Sequence, residues 1–354
     1  MDEHGALAIA GKEVAPGTCL DVAFQITTLA TGTPSALALR VLHGARPGPA
    51  VFVSAAIHGD EIVGTAIIQR LARELDPATL AGTVLLVPVA NIFGFMTRTR
   101  YLPDRRDLNR SFPGSPGGSL DGQLAHIFHR EVLLRCQLGI DIHSAAIHRY
   151  NLPQIRIAEG NRRLVELAMA FGAPVIIESP LRDGSLREIA QREGVDMLLM
   201  EAGEALRFDR LSIETGVEGV TRVLAHLGMI EADDGLSAVG IPARANRSTW
   251  VRSPRGGVAQ MVRESGDPVR KGDLLGCVAG LFGEEPQDMV SPIDGIIIGH
   301  ATLPVVHQGD ALFHIAAIDH PERVGARIDS ITEAILASEP QGSAERLLDE
   351  DEVV

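Results

Sequence analysis

Only three cysteines, Cys19, Cys136 and Cys277, occur among the 354 residues, with no CxxC spacing and no even set to pair. A disulfide scaffold is excluded, and small buried thiols in a reducing cytoplasm are the expectation. Lysine is nearly absent: Lys12 and Lys271 are the two copies, and every other Lys/Arg position is arginine. With a formal net charge of −14 the chain offers little cationic surface to grip nucleic acid or an anionic membrane. Nor does any apolar run approach the length of a bilayer span. The acidic N-terminus, MDEHGALAIAGKEVAPG, lacks the basic-then-apolar order of an export signal. A soluble, cytoplasmic protein without nucleic-acid or membrane partners is expected. Overall acidity does not forbid an anionic small substrate, because a few arginines inside a pocket set the local field.

What is present is ordinary globular composition, 45% hydrophobic and 22% charged, over a length that suits two domains. From about residue 36 to 240, short apolar runs alternate with amphipathic stretches. Residues 50–56 (AVFVSAA), 83–89 (TVLLVPV), 138–142 (LGIDI), 174–177 (PVII) and 195–200 (VDMLLM) read as strands buried on both faces. Between the first two, Ile62, Val63, Ala66, Ile67 and Leu71 recur at helical spacing, with Asp60 as an N-cap. Residues 121–135 and 161–171 read as further helices. Such alternation predicts an α/β fold, a mixed sheet flanked by helices, over residues 1–240. Ligands in such sheets sit beyond the carboxyl ends of the strands.

After residue 240 the periodicity gives way to short Gly- and Pro-punctuated strands and an internal repeat. Residues 253–258 (SPRGGV) are echoed by 291–296 (SPIDGI), and 269–275 (VRKGDLL) by 306–312 (VHQGDAL). Two copies predict a small two-halved β-domain over 241–320, resembling the flattened barrel of biotinyl and lipoyl carrier domains. Those carriers present a modified lysine between the halves, but residues 279–289 contain none. A final segment, 321–354, is expected to be an acidic tail, partly helical.

The sharpest chemical feature is His58-Gly59-Asp60-Glu61, at a strand-to-helix junction. Side chains three apart on a first helical turn face one point, so His58 and Glu61 suit one metal. His143, in GIDIHS after another buried strand, is a third donor. Two histidines and a carboxylate leave a fourth position for water, the composition of a catalytic metal site. Alone, an HxxE pair or a strand-end histidine is uninformative. A second cluster runs from Thr99 to Asp104 (TRYLPD) and from Asp107 to Gly114 (DLNRSFPG). Asn109 and Arg110 together make a receptor for a carboxylate. Arg100 suits an oxygen that becomes negative during acyl transfer, with a surface arginine patch as the plain alternative. Third, Glu201 ends the run VDMLLM with Gly203 close by. A carboxylate there can act as general base and return the proton to a leaving amine. By position alone, Glu178 and Glu204 compete for that role.

In this order, HGDE, RYLPD…DLNRSFPG, DIHS and EAG resemble the succinylglutamate desuccinylase/aspartoacylase family of the zinc carboxypeptidase-like superfamily, over residues 51–203. The resemblance implies one zinc ion per chain on His58, Glu61 and His143. It implies substrate carboxylate binding by Asn109 and Arg110, carbonyl polarisation by Arg100, Glu201 as general base, and Arg187 as a further substrate contact. Two departures bear on substrate choice: a longer Arg100–Asn109 spacing than in vertebrate-type aspartoacylases, and Ala202 where valine is common. The implied activity is zinc-dependent hydrolysis of a small N-acyl amino acid. Rivals are a metallocarboxypeptidase acting on short peptides, an N-acetyl-diaminobutyrate-type deacetylase, and a non-catalytic binding protein retaining the pocket. Homo-oligomerisation is left open.

Overall fold

The computed structural model describes residues 4–231 and 241–337. The acidic end expected after the last helix, residues 338–354, lies outside the described residues. A small hairpin of β1 (Leu7–Ile9) and β2 (Lys12–Val14) precedes the main sheet. Then follow β3 (Thr18–Thr28), β4 (Pro34–His43), β5 (Arg46–Ala55), α1 (Val63–Glu74), β6 (Ala81–Val87), α2 (Ile92–Thr97) and α3 (Leu120–Glu131). Next come β7 (Leu138–Ala145), β8 (Arg149–Ile157), α4 (Arg162–Phe171), β9 (Val175–Glu178), α5 (Leu186–Arg192), β10 (Asp196–Glu204) and α6 (Arg210–His226). The C-terminal segment holds β11 (Ala243–Ala245), β12 (Ser248–Arg252), β13 (Gly257–Met261), β14 (Pro268–Val269) and β15 (Leu274–Ala279). It ends with β16 (Gln287–Val290), β17 (Gly295–Ala301), β18 (Val305–Val306), β19 (Ala311–Ala317) and α7 (Pro321–Ala337).

The main sheet runs β12-β19-β17-β8-β10-β7-β5-β6-β4-β3, so the expected mixed α/β architecture is present. Its centre, β10-β7-β5-β6, is parallel, while β8 and β4 join antiparallel. Parallel strands covered on both faces need apolar side chains at every position, hence the continuous runs in the sequence. Val51, Val53, Ala55, Ile140, Ile142, Leu198, Met200 and Ala202 point to one face, packed by α1, α4 and α6. The period of two sends Phe52, Asp141, His143, Met197 and Glu201 to the other. Asp141 and His143 are buried on that face, where unpaired polar groups would be costly. Among the described residues no helix is long and apolar enough to cross a membrane.

Two local expectations are corrected. Asp60 does not cap α1: the cap position is Ile62, without a side-chain bond. His58 and Glu61 therefore precede the helix instead of sharing its first turn. The chain turns before the helix starts, through Glu61 N–H to His58 O at 3.0 Å and Ile62 N–H to Asp60 O at 3.0 Å. That turn swings Glu61 back over the strand end.

Within the C-terminal segment, the two copies of the sequence repeat exchange equivalent bonds. The Ser253 hydroxyl donates to Arg255 O at 2.6 Å and Ser291 to Ile293 O at 2.6 Å. Ser253 N–H donates to Asp310 O at 2.8 Å, and Ser291 N–H to Asp273 O at 2.9 Å, so each copy pairs with the other's turn. The ladders form an antiparallel sheet, β16-β15-β13-β18, and an antiparallel extension of the main sheet, where β17 pairs with β8. The segment is thus continuous with the sheet that carries the polar cluster.

Phe128 of α3 is fully buried and stands edge-on to Phe52 of β5 at 5.7 Å and to Phe112 at 5.8 Å. It ties the loop bearing Asn109 and Arg110 to the sheet. Phe128→Ala is expected to cost about 3–5 kcal/mol, from lost transfer energy plus the cavity, and Phe128→Leu much less. Urea unfolding checks this; an unchanged midpoint for Phe128→Ala would show that the anchor is not there.

Candidate active site

At the carboxyl ends of β5 and β7, Glu61 accepts from both histidines, His58 Nδ1 at 2.7 Å on Oε1 and His143 Nδ1 at 2.7 Å on Oε2. Ser144 N–H adds 3.2 Å to Oε2, and Arg100 Nη1 donates to Oε1 at 2.9 Å. Each histidine is held from behind by an aspartate: His143 Nε2 by Asp141 at 2.7 Å, His58 Nε2 by Asp107 at 3.1 Å. Asp141 is itself fixed by the Ser54 hydroxyl at 2.7 Å, across the β5–β7 ladder. Gly59, between the two donors, packs against the 94–95 backbone; a Cβ there would lie 2.0 Å from Gly94 C. The HGDE turn can reach this position with glycine alone.

The electrostatics follow from burial and pairing. Burial pushes the Glu61 carboxyl up, but the charges of His58 and His143 and their hydrogen bonds outweigh it and hold it far below the carboxylate range. Burial pulls His143 down, yet Asp141 and Glu61 raise it well above an ordinary histidine. His58 is likewise raised, burial being overcome by Glu61 and Asp107. Asp107 is held low because His58 and Arg100 outweigh its burial.

His58, Glu61 and His143 are the group among the described residues that could hold a metal, their ligand atoms all within 4.8 Å of one another. The donor chemistry fits a divalent ion: two nitrogens and a carboxylate, all buried, converging on one side. The two aspartates behind them match the carboxylate–histidine arrangement that orients metal ligands.

Beside this group lies a cavity of about 300 Å³ that brings together the eight residues to which the resemblance assigns roles: His58, Glu61, Arg100, Asn109, Arg110, His143, Arg187 and Glu201. Glu201 is the cross-strand neighbour of His143 in the parallel β10–β7 ladder, on the same face. Its Oε2 accepts from Asn151 Nδ2 at 2.9 Å. The competing glutamates are elsewhere. Glu178 binds Arg244 at 2.6 Å in a separate open cleft of about 870 Å³ that has no histidine. Glu204 accepts from His148 N–H at 3.0 Å, outside the cavity lining. Asn109 uses its Oδ1 on Leu186 N–H at 2.9 Å, leaving its amide donor free to face the cavity. Arg110 is exposed at the rim, with Nη1 on the carbonyl of Asn109.

Several lining residues were not legible in advance. Arg149, Arg156 and Arg182 join Arg100, Arg110 and Arg187, so six arginines face three carboxylates, Glu61, Asp141 and Glu201, in a chain of net charge −14. Burial, and then the Arg156 charge, push the Arg187 guanidinium down to about 10, and its buried Nη1 has no partner. Trp250, from β12, forms a wall of the same cavity. Its ring stacks on His314 at 4.3 Å and lies 5.5 Å from the Arg149 guanidinium. Asp141 carried a signal, sitting two residues before His143 on one strand face. Arg156 and Trp250 carried none, because sheet order alone brings them in.

Residues 47–227 match the model of the family described as Succinylglutamate desuccinylase/Aspartoacylase catalytic domain. The chain is 28% identical over 286 residues to the N-alpha-acetyl-L-2,4-diaminobutyric acid deacetylase of Halomonas elongata, covering 77% of this chain and 83% of that protein. It superposes on a succinylglutamate desuccinylase/aspartoacylase structure from Rhodobacter sphaeroides with TM-score 0.74 and 26% identity, covering 84% and 96% of the two chains. The product-bound ectoine utilization protein EutE from Ruegeria pomeroyi gives TM-score 0.75 at 24% identity, with 84% and 95% covered, a likeness of fold.

Without metal, each histidine faces two carboxylates, which favour its protonated form and raise its pKa. The histidines' raised folded values stabilise fully below the unfolded value of about 6.5, and that contribution fades as pH rises through the folded values. The depressed Glu61 and Asp107 contribute above about pH 4 and lose it as pH falls through theirs. A metal competes with the histidine protons, so its affinity should rise with pH and its binding should release protons. Calorimetry in buffers of different ionisation enthalpy measures that release, and metal analysis should show one ion in wild type and far less in His143→Ala. Equal metal in both proteins would overturn the assignment.

Proposed function

The chain belongs to the succinylglutamate desuccinylase/aspartoacylase family, and from that premise we propose that it hydrolyses the amide bond of a small N-acyl amino acid at a zinc ion held by His58, Glu61 and His143. The observation that carries this reading is Glu201 beside His143 in the β10–β7 ladder, facing the same cavity as the His–Glu–His group. Bound there, zinc would supply Lewis acidity and lower the pKa of water from about 15.7 to about 7. Glu201 takes the proton of the attacking water and delivers it to the leaving amine. Arg100, at the edge of the group on Glu61 and Asp107, stabilises the charge that develops on the carbonyl oxygen.

Recognition is assigned to the arginines. Arg110 offers a planar fork and Asn109 its amide donor to the substrate carboxylate. Arg187 is a second contact: its buried Nη1 has no hydrogen-bond partner, and a bound carboxylate would supply one. On this reading, residues 1–240 are the catalytic domain. Residues 241–320 form a β-domain of two similar halves, related to biotinyl/lipoyl barrels, that narrows the entrance with Trp250. The relative from Halomonas elongata favours an acetyl group and a deacetylase activity of the diaminobutyrate type.

Zinc-loaded protein should release amine from at least one N-acetyl, N-succinyl or N-formyl amino acid, and prefer the acid to its carboxamide. Glu201→Gln should keep its metal and lose about 10²–10⁴-fold in kcat, the usual worth of a general base. Arg110→Lys keeps charge but not the fork; with about 1.5–3 kcal/mol at stake per hydrogen bond to a charged group, KM should rise roughly tenfold. Faster cleavage of peptides than of acyl amino acids would favour the carboxypeptidase reading. No turnover of any amide by metal-replete protein would favour a binding protein.

A further inference from the structure

Glu201 carries the proposed proton transfers, yet among the described residues one side chain alone donates a hydrogen bond to its carboxylate: Asn151 of β8, through Nδ2 to Oε2 at 2.9 Å. The other oxygen, Oε1, faces Arg156 Nε at 3.8 Å, an ion pair too long for a hydrogen bond. Asn151 is buried, and its two cross-strand partners are both glycines, Gly203 on β10 and Gly299 on β17. Gly299 is not among the glycines with positive φ, so space rather than a left-handed backbone requires it. A Cβ at that position would lie 2.7 Å from Asn151 Oδ1 and drive the amide off its seat.

We propose that Asn151, seated against Gly299, is a positioning residue that fixes the rotamer of Glu201 and leaves Oε1 free to exchange protons. The inference rests on the base role proposed for Glu201. A carboxylate only accepts, so the amide must present its Nδ2 here, and that single donor favours one orientation of the side chain. β17 belongs to the C-terminal segment and pairs with β8 through Gly299–Asn151. The segment therefore acts on the base as well as on the cavity wall at Trp250. A base displaced by about an ångström loses roughly 10²-fold in rate without a matching loss of substrate binding.

The test uses the full-length, metal-loaded protein. Asn151→Ala is expected to lower kcat about 10–100-fold with KM changed less than about threefold, at unchanged metal content. Asn151→Asp keeps the shape but replaces the donor by a like charge, and should be impaired at least as much. Gly299→Ala leaves Asn151 in the sequence and should fall between wild type and Asn151→Ala; it serves alone if Asn151 variants do not fold. In a Glu201→Gln background, Asn151→Ala should cost little more, because the residues act as a unit. Wild-type kcat in Asn151→Ala and Asn151→Asp, with Glu201→Gln inactive, would overturn this inference and leave the base assignment standing. Wild-type kcat in Glu201→Gln would remove the base assignment and the inference with it. Loss confined to KM, loss of metal, or full additivity with Glu201→Gln would reduce Asn151 to a structural role and likewise overturn it.

Discussion

The Glu61 carboxylate, shared between His58 and His143 in a buried pocket, is the interaction on which the site's architecture depends. A buried carboxylate is tolerated when its charge is matched and its lone pairs are filled. Here two histidines, Arg100 and the Ser144 amide do so. The histidines need partners in turn, supplied by Asp107 and Asp141, and Asp141 needs Ser54. Each link sits at the carboxyl end of a parallel strand or on the loop beside it. The sheet thus fixes a polar network that could not hold together on mobile loops. Family membership and geometry agree on the coarse chemistry, deacylation at a site able to hold a metal.

Much of this was legible because two-faced burial leaves a plain mark. Runs such as those preceding His58 and His143 can only be covered strands, and polar residues at their ends stand out against them. The turn between His58 and Glu61 was misread because Asp60, two residues before the periodicity that starts at Ile62, has the chemistry of an N-cap, whereas the backbone there folds on itself before Ile62. The choice among Glu178, Glu201 and Glu204 needed three dimensions: Glu178 is claimed by Arg244, and Glu204 by the His148 amide. Asn151, Arg156 and Trp250 were invisible because their proximity is a product of strand order. β8 inserts antiparallel beside β10, and β17 then joins β8. No local pattern encodes that. The internal repeat was visible, and its two copies exchange reciprocal serine–turn bonds.

Charge is distributed unevenly. The chain is acidic overall, but its cavity gathers six arginines around the metal-type donors. Such a cluster attracts an anionic ligand, while the acidic exterior disfavours large polyanions. Trp250, clamped between His314 and Arg149, makes the cavity small as well as cationic. Together these features suit a compact substrate carrying carboxylate groups.

The central claim, that His58 and His143 with Glu61 form one metal centre, is tested most directly by X-ray absorption on the zinc-loaded protein. The account predicts nitrogen and oxygen scatterers at about 2.0–2.2 Å, with the outer-shell imidazole pattern of two histidines falling to one in His143→Ala. A sulfur scatterer near 2.3 Å, or a shell without imidazole, would contradict it.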